Sequence, residues 1–274
     1  MSGLAVPPGT VVERRGRVTF VADERRLGAL RAAGLADVAR WQELLARPRA
    51  ERGRGPAAIV PLAEGQAVRL KRLGRGGLLG PLWRERVIGR RRLVDNLWLP
   101  HEAACRGIPT SAVAALMMLA GPPGLYRGWL ALEELPATTD LARLFGAHDP
   151  PRPDELAAVL RLVRRMHDAG LEHRDLNLGN LLVRRSGPLP EAFVVDLDRA
   201  RLHPRPLDFR RRLAALRRME RSLVKLRRDA ASDSVRRSFY ELYAAGDREL
   251  AARLDRGRRV GRIWIRLHQL AWRR

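Results

Sequence analysis

The chain has 274 residues, with 53 Lys and Arg against 30 Asp and Glu, a formal charge of +23 and one cysteine. That length fits one two-lobed unit or two small domains, and 46% hydrophobic residues suffice for a sizeable core. The lone Cys105 excludes an internal disulfide and argues against a cysteine-based metal site. Its helical-looking surroundings predict a buried structural thiol in a reducing compartment. The longest apolar run, Ala112 to Ala120, is too short to span a bilayer. Met1 to Pro8 lacks the basic start and apolar segment of a signal peptide. A cytoplasmic protein, soluble or peripheral, is expected. The charge predicts a surface for polyanions: nucleic acid, an anionic membrane face or an anionic substrate. A GC-rich genome raises Arg content as well, so composition alone accounts for part of the excess.

Residues 10 to 22 read as two short strands about a turn. Residues 24 to 46 place Leu27, Leu30, Leu35, Val38, Trp41 and Leu45 at helical intervals, which predicts one helix. A basic loop with Gly53 and Gly55 permits close backbone approach to phosphate. It leads into a hairpin, Ala57 to Leu62 and Ala67 to Lys71, about a turn at Glu64-Gly65. Arg69 and Lys71 share one face of its second strand, because strand side chains alternate. Arg75-Gly76-Gly77-Leu78 forms a second glycine-and-arginine loop, able to receive an anionic acceptor. A helix over 93 to 106 carries Asp95 and Glu102 and stops at Gly107 and Pro109. Residues 111 to 120 read as a strand or a buried segment, and 125 to 132 as a strand running into Glu133-Glu134-Leu135-Pro136. Thr139-Asp140 caps a short helix, and Pro153-Asp154-Glu155 opens a longer one that ends near Gly170.

That helix delivers the chain into His173-Arg174-Asp175-Leu176-Asn177-Leu178-Gly179-Asn180. The apolar run 181 to 183, a turn at Ser186-Gly187-Pro188 and the run 192 to 195 predict a hairpin ending on Asp196-Leu197-Asp198. Such a hairpin gathers Asp175, Asn180 and Asp196 at one end of two paired strands. Two carboxylates and an amide oxygen suit Mg²⁺ and the phosphates of a nucleotide. The spacing matches the protein-kinase loop H-R-D-x-x-x-x-N, in which the Asp accepts the proton of the attacking hydroxyl and the Asn holds a metal ion. Asp196 stands where kinases keep a metal-binding Asp-Phe-Gly, here Asp-Leu-Asp.

The fold expected is therefore α+β, a two-lobed protein-kinase-like fold. Residues 1–49 form an N-terminal extension, 50–134 a small β-rich N-lobe, and 135–274 a helical C-lobe with basic terminal helices. In that frame Gly53, Gly55, Arg69 and Lys71 approach the ATP phosphates. Glu102, or else Asp95, pairs with the strand cation. Glu133 and Leu135 offer main-chain atoms to the adenine. Helices are expected over 207 to 228, 238 to 254 and 260 to 272, with basic faces and Trp and Leu among the arginines. Such helices suit an anionic membrane surface, or are core helices with solvated Arg faces. Nothing in the chain carries a signature for specific nucleic-acid recognition.

The runs His-Arg-Asp-Leu-Asn-Leu-Gly-Asn at 173 to 180, Asp-Leu-Asp-Arg-Ala-Arg at 196 to 201 and Arg-Gly-Gly-Leu at 75 to 78 resemble the bacterial lipopolysaccharide core kinases. Arg221-Ser222-Leu223-Val224-Lys225 is similar to a late segment of the same family. The resemblance implies a phosphotransferase using ATP and Mg²⁺ on an inner-core sugar of the Kdo-lipid A type (Kdo, 3-deoxy-D-manno-octulosonic acid), at the cytoplasmic face of the inner membrane. It implies Asp175 as the catalytic base, Asn180 and Asp196 as metal ligands, and Arg69 or Lys71 on the phosphates. His173 supports the loop, and Asp198 is either a second contact or a structural hydrogen bond. The alternatives are an atypical bacterial protein kinase, or an inactive kinase fold serving as a basic binding module. Neither reading fixes an oligomeric state.

Overall fold

The computed structural model describes residues 4–46, 58–74, 86–122, 124–146, 151–226 and 233–257. Two compact units make up the chain: Met1–Cys105 with Thr110–Leu135, and Arg106–Pro109 with Pro136–Arg274.

The first unit is built on an antiparallel sheet of seven strands. β1 (Thr10–Arg15) and β2 (Val18–Asp23) form the expected hairpin, turning at Gly16 with φ 57°. β3 (Ala58–Pro61), β4 (Ala67–Leu73), β5 (Val87–Ile88), β6 (Val113–Ala120) and β7 (Leu125–Glu133) complete it. The order is β1-β2-β6-β7-β4-β3, with β5 paired to one end of β7. Strand alternation gives the sheet two apolar faces. One is covered by α1 (Leu27–Ala32) and α2 (Val38–Ala46), whose Leu30, Trp41 and Leu45 pack with Val68, Leu70 and Ala131. The other is covered by α3 (Arg91–Cys105), whose Leu93, Val94 and Leu97 meet Leu116, Met118 and Leu130. Each such fully buried side chain contributes about 1.5–3 kcal/mol. Gly128 lets α3 sit close, because a Cβ there would meet Leu93 Cδ2 at 2.5 Å.

The single helix expected over 24 to 46 is two. Gly34 adopts φ 77°, its N–H bonds Arg31 O at 2.9 Å, and Leu35 N–H bonds Leu30 O at 2.8 Å. This paired closure ends α1. Asp37 then accepts from Ala39 N–H at 3.0 Å and starts α2. Cys105 is exposed, not buried as expected. It lies at the C-terminal end of α3, off the face that carries Leu93, Leu97, Pro100 and Ala103 to the sheet.

The second unit begins with β8 (Thr138–Asp140), α4 (Leu141–Gly146) and α5 (Pro153–Asp168). β9 (Leu171–Glu172) pairs with β12 (Arg201–Leu202), while β10 (Leu181–Arg184) pairs with β11 (Glu191–Val194) and with β8. α6 (Phe209–Leu226) and α7 (Asp233–Ala244) follow. Pro153 opens α5 as expected, and Glu155 Oε2 accepts the Arg152 N–H at 2.9 Å. The fully buried Glu155 carboxylate also accepts from Arg185 Nε at 2.6 Å and Nη2 at 3.0 Å. Burial pushes this carboxyl up, but the bonds and charges of Arg185 and Arg152 outweigh it and hold it below its usual range. The β10 strand end is thereby tied to α5. The helix expected over 238 to 254 is interrupted at Ala245 and Gly246, with φ 49° and 87°, and a separate helix runs over 248–257. The stretch 260 to 272 lies outside the described residues.

Candidate active site

The hairpin read from the sequence is present, with Leu181 opposite Val194 and Val183 opposite Ala192. Its open end holds the loop together by main-chain and side-chain bonds. Val195 N–H donates to Asn180 O at 3.0 Å, and His173 Nε2–H donates to Val195 O at 3.1 Å. Asn180 Nδ2 donates to Asp175 O at 2.8 Å, and Asn177 Nδ2 to the same oxygen at 3.2 Å. Asn177 Oδ1 accepts from Gly179 N–H at 2.8 Å, an Asx turn that sets the 3₁₀ turn Leu178–Asn180. Asp175, Asn180 and Asp196 therefore sit on segments bonded directly to one another.

His173 is buried, and burial lowers its pKa, with the Val195 bond and the charges of Asp196 and Asp175 opposing. It stays neutral, its Nε2–H fixed on Val195, as a support for the loop. Asp175 is exposed, as are Asp196 and Asp198. Asp196 is a non-glycine residue at φ 62°, ψ 57°, the left-handed region. Strain of this kind gathers at functional sites, and Asp tolerates it better than most residues. It turns the carboxylate out of the strand direction before the 3₁₀ turn Leu197–Arg199.

The donor set fits a hard divalent cation. The Asn180 amide nitrogen is spent on Asp175 O, so its Oδ1 is the acceptor that this side chain can offer, on a segment bonded to the residue before Asp196, whose carboxylate is exposed. Among the described residues no group of three or more His, Cys, Asp or Glu forms a metal cage.

In the first unit, Arg69 and Lys71 lie on one face of β4 as expected. Arg69 forms a bidentate pair with Glu134, Nε to Oε2 at 2.7 Å and Nη2 to Oε1 at 2.9 Å. Glu102 is exposed on α3 and Asp95 likewise, and among the described residues neither makes an ion pair with Arg69. The sequence reading missed Glu134 as the partner. The available signal was register: β4 and β7 pair Val68 with Glu133, so Glu134 stands opposite Ala67, whose side of the strand Arg69 shares. Glu133 N–H is engaged by Ala112 O at 2.9 Å, and its carbonyl accepts from Ser111 Oγ at 3.0 Å. Its carboxylate meets Arg26 Nη2 at 3.2 Å. Leu135 closes the unit. Gly53, Gly55 and the loop from Arg75 lie outside the described residues.

A β-rich unit bearing a paired strand cation, and a second unit bearing a His-Arg-Asp loop bonded to a three-stranded sheet, define a kinase-type phosphotransferase. The model of the lipopolysaccharide kinase (Kdo/WaaP) family matches residues 39–245, and the chain belongs to that family. It is 33% identical over 219 residues to a 3-deoxy-D-manno-octulosonic acid kinase of Xylella fastidiosa strain M12, covering 78% of this chain and 84% of that protein. It is 32% identical over 237 residues to the enzyme of the same name from Xanthomonas campestris pv. campestris strain B100, covering 85% and 91%. The fold matches a solved structure of WaaP in complex with acyl carrier protein, with TM-score 0.52 and 20% identity, over 83% of this chain and 93% of that one. The chain is accordingly a kinase acting on a sugar of the lipopolysaccharide core.

Proposed function

We propose that the protein transfers the γ-phosphate of ATP to a hydroxyl of a Kdo-lipid A type acceptor. The observation that carries this reading is the bonded cluster of Asp175, Asn180 and Val195-Asp196 at the hairpin end. Asp175 orients the acceptor hydroxyl and takes its proton. Asn180 Oδ1 and the Asp196 carboxylate would hold Mg²⁺, which would neutralise charge on the phosphates. Arg69, oriented by Glu134, and Lys71 on the same strand face contact those phosphates. Glu102 keeps no part in this assignment, while Leu135 and the Glu133 carbonyl remain main-chain candidates for the adenine. Gly53 and Gly55, outside the described residues, keep their proposed role at the phosphates on the sequence reading alone. Most of the rate gain comes from positioning and fixed charge.

A small acceptor is favoured over a protein because β12 ends at Leu202 and α6 begins at Phe209, leaving little chain for an activation segment. Work at the cytoplasmic face of the inner membrane fits the +23 charge. Among the described residues no helix is long and apolar enough to cross a membrane.

The test is ATP turnover with Mg²⁺ and Kdo-lipid A, with product mass read for one added phosphate. Asp175→Ala is expected to lose about 10²–10⁴-fold in rate. Acceptor-independent turnover, or equal activity in the variant, would overturn the assignment.

A further inference from the structure

The basic charge is not spread evenly over the second unit. α6 carries Arg211, Arg218, Arg221, Ser222 and Lys225 at spacings of three, four and seven, which places them along one side of the helix. That side is fixed against the catalytic loop: Ser222 Oγ accepts the Leu178 N–H at 3.3 Å. Three turns earlier, Arg211 approaches Glu172 at 3.8 Å, and His203 Nε2 bonds the same carboxylate at 2.9 Å. Arg218 sits between these two tethers, one turn before Ser222, and is half-buried.

Arg174, Arg218 and Arg221 make no hydrogen bond or ion pair among the described residues. Their charges act on one another. Burial lowers the pKa of Arg218, Arg221 and Arg174 lower it further, and only Glu172 and Asp175 oppose. Arg218 also depresses the buried His173 of the loop. Of the two opposing carboxylates, Glu172 is already held by His203 and Arg211. The other is Asp175 itself. Arg218 and Arg221 thus stand on the side of α6 that Ser222 ties to the loop carrying Arg174 and Asp175. A half-buried guanidinium without a partner is costly, and planar donors of this kind match carboxylate and phosphate oxygens two at a time.

We propose that Arg218, with Arg174 and Arg221, forms an anion site that grips a carboxylate or phosphate group on the acceptor and so presents the neighbouring hydroxyl to Asp175. This rests on the kinase reading above and gives it a source of acceptor selectivity. A neutral sugar would leave the three cations unpaired, so selectivity comes from the cost of that state as much as from the bonds formed. Arg218 is a positioning residue, acting through the acceptor's anionic group.

The full chain carries the test. Arg218→Gln and Arg221→Gln are expected to raise the KM for Kdo-lipid A about ten- to hundred-fold relative to the KM for ATP. Arg218→Lys should recover part of the loss, because charge returns without the planar fork. Arg248→Gln, at the exposed start of the helix over 248–257, removes the same charge elsewhere and is expected to leave the ratio unchanged. Binding of Kdo, of its methyl ester and of glucosamine 1-phosphate, followed by saturation-transfer NMR without nucleotide, separates the two sources. Kdo binding lost on esterification and in Arg218→Gln assigns the carboxylate. Sugar-phosphate binding lost in Arg218→Gln assigns the phosphate.

An acceptor KM that stays within two-fold in Arg218→Gln, while wild type phosphorylates the acceptor, overturns the anion site and leaves the kinase standing. No phosphorylation by wild type, with Arg218-dependent Kdo or sugar-phosphate binding, overturns the acceptor reading and leaves the anion site. Circular dichroism melting of each variant identifies any loss due to unfolding, and Arg221→Gln at the exposed end of the stripe then decides.

Discussion

Asn180 reaches back five residues to the Asp175 main-chain carbonyl at 2.8 Å, so the residue proposed to hold a metal also sets the backbone of the residue proposed as base. Asn180→Asp retains an oxygen ligand but replaces the donor with a carboxylate facing a carbonyl. A cost of about 1–3 kcal/mol in stability is expected, because the Asp175 carbonyl loses its amide donor and meets like charge. Rate should fall more in Asn180→Asp than in Asn177→Asp, whose bond to the same carbonyl is longer at 3.2 Å. Urea unfolding alongside kcat measures both.

The Arg69–Glu134 pair gives a second expectation. Both side chains are largely shielded, at 16% and 25% exposure, and the geometry is bidentate. A double-mutant cycle with Arg69→Gln and Glu134→Gln should yield a coupling of about 1 kcal/mol, above a typical surface pair. Glu134→Gln should raise the KM for ATP, whereas Glu102→Gln should not. Equal effects of the two would remove Glu134 from its orienting role.

His167 supplies a pH signature. Fully buried, it shares a hydrogen bond with Tyr243 Oη at 2.7 Å, and its Nε2 has no partner among the described residues. Burial first, then the charges of Arg212, Arg164 and Arg218, lower its pKa to about 3. Burial likewise raises the Tyr243 hydroxyl to about 12, so both rings stay neutral. The unfolded chain binds a proton near pH 6.5 that the folded chain refuses. The associated stability is complete above about pH 6.5 and falls as pH drops from there toward 3, by up to about 1.4 kcal/mol per unit. His167→Gln should flatten the fall in the urea midpoint between pH 6.5 and 4.5. An unchanged slope would assign acid lability to other groups.

Two glycines separate strain from collision. Gly170 has φ 82°, and a Cβ there would stand 2.4 Å from His203 O and 2.7 Å from Arg205 O. Gly107 has φ 71° with nothing within 4 Å. Gly107→Ala is expected to cost about 1–2 kcal/mol, the left-handed penalty alone. Gly170→Ala should cost more than about 4 kcal/mol or abolish soluble expression, since two backbone carbonyls must move. Similar melting temperatures for the two would show that the turn relaxes freely.

The sequence disclosed what local chemistry controls. The catalytic-loop spacing, the hairpin about Ser186-Gly187-Pro188, Pro153 at a helix start and Gly107 at a helix stop all lie within a few residues of what they govern. What it concealed was set at a distance. The partner of Arg69 is 65 residues away, fixed by β4–β7 register rather than by any motif. The break at Gly34 was hidden because Leu30, Leu35 and Trp41 keep facing the sheet across it, so the apolar period survives a helix end. Cys105 was misread because its neighbours are helical, and helicity does not say which side of the helix a residue occupies. The convergence of Arg218 on the loop depends on the Ser222 tether, which no spacing rule announces.

Arg106 Nη1 donates to both Ala169 O at 2.7 Å and His203 O at 2.8 Å, and Pro109 O accepts the Val194 N–H at 3.0 Å, yet these four residues are flanked on both sides by chain of the other unit. The protein therefore cannot be dissected with one cut. A fragment starting at Pro136 leaves behind the guanidinium that caps the end of α5 and the acceptor for the last residue of β11, immediately before Val195-Asp196. Such a fragment should be expressible only if residues 106–109 are supplied, either grafted on by a linker or added as a separate peptide. The unit that carries the His173–Asn180 loop is a folding unit in space but not in sequence.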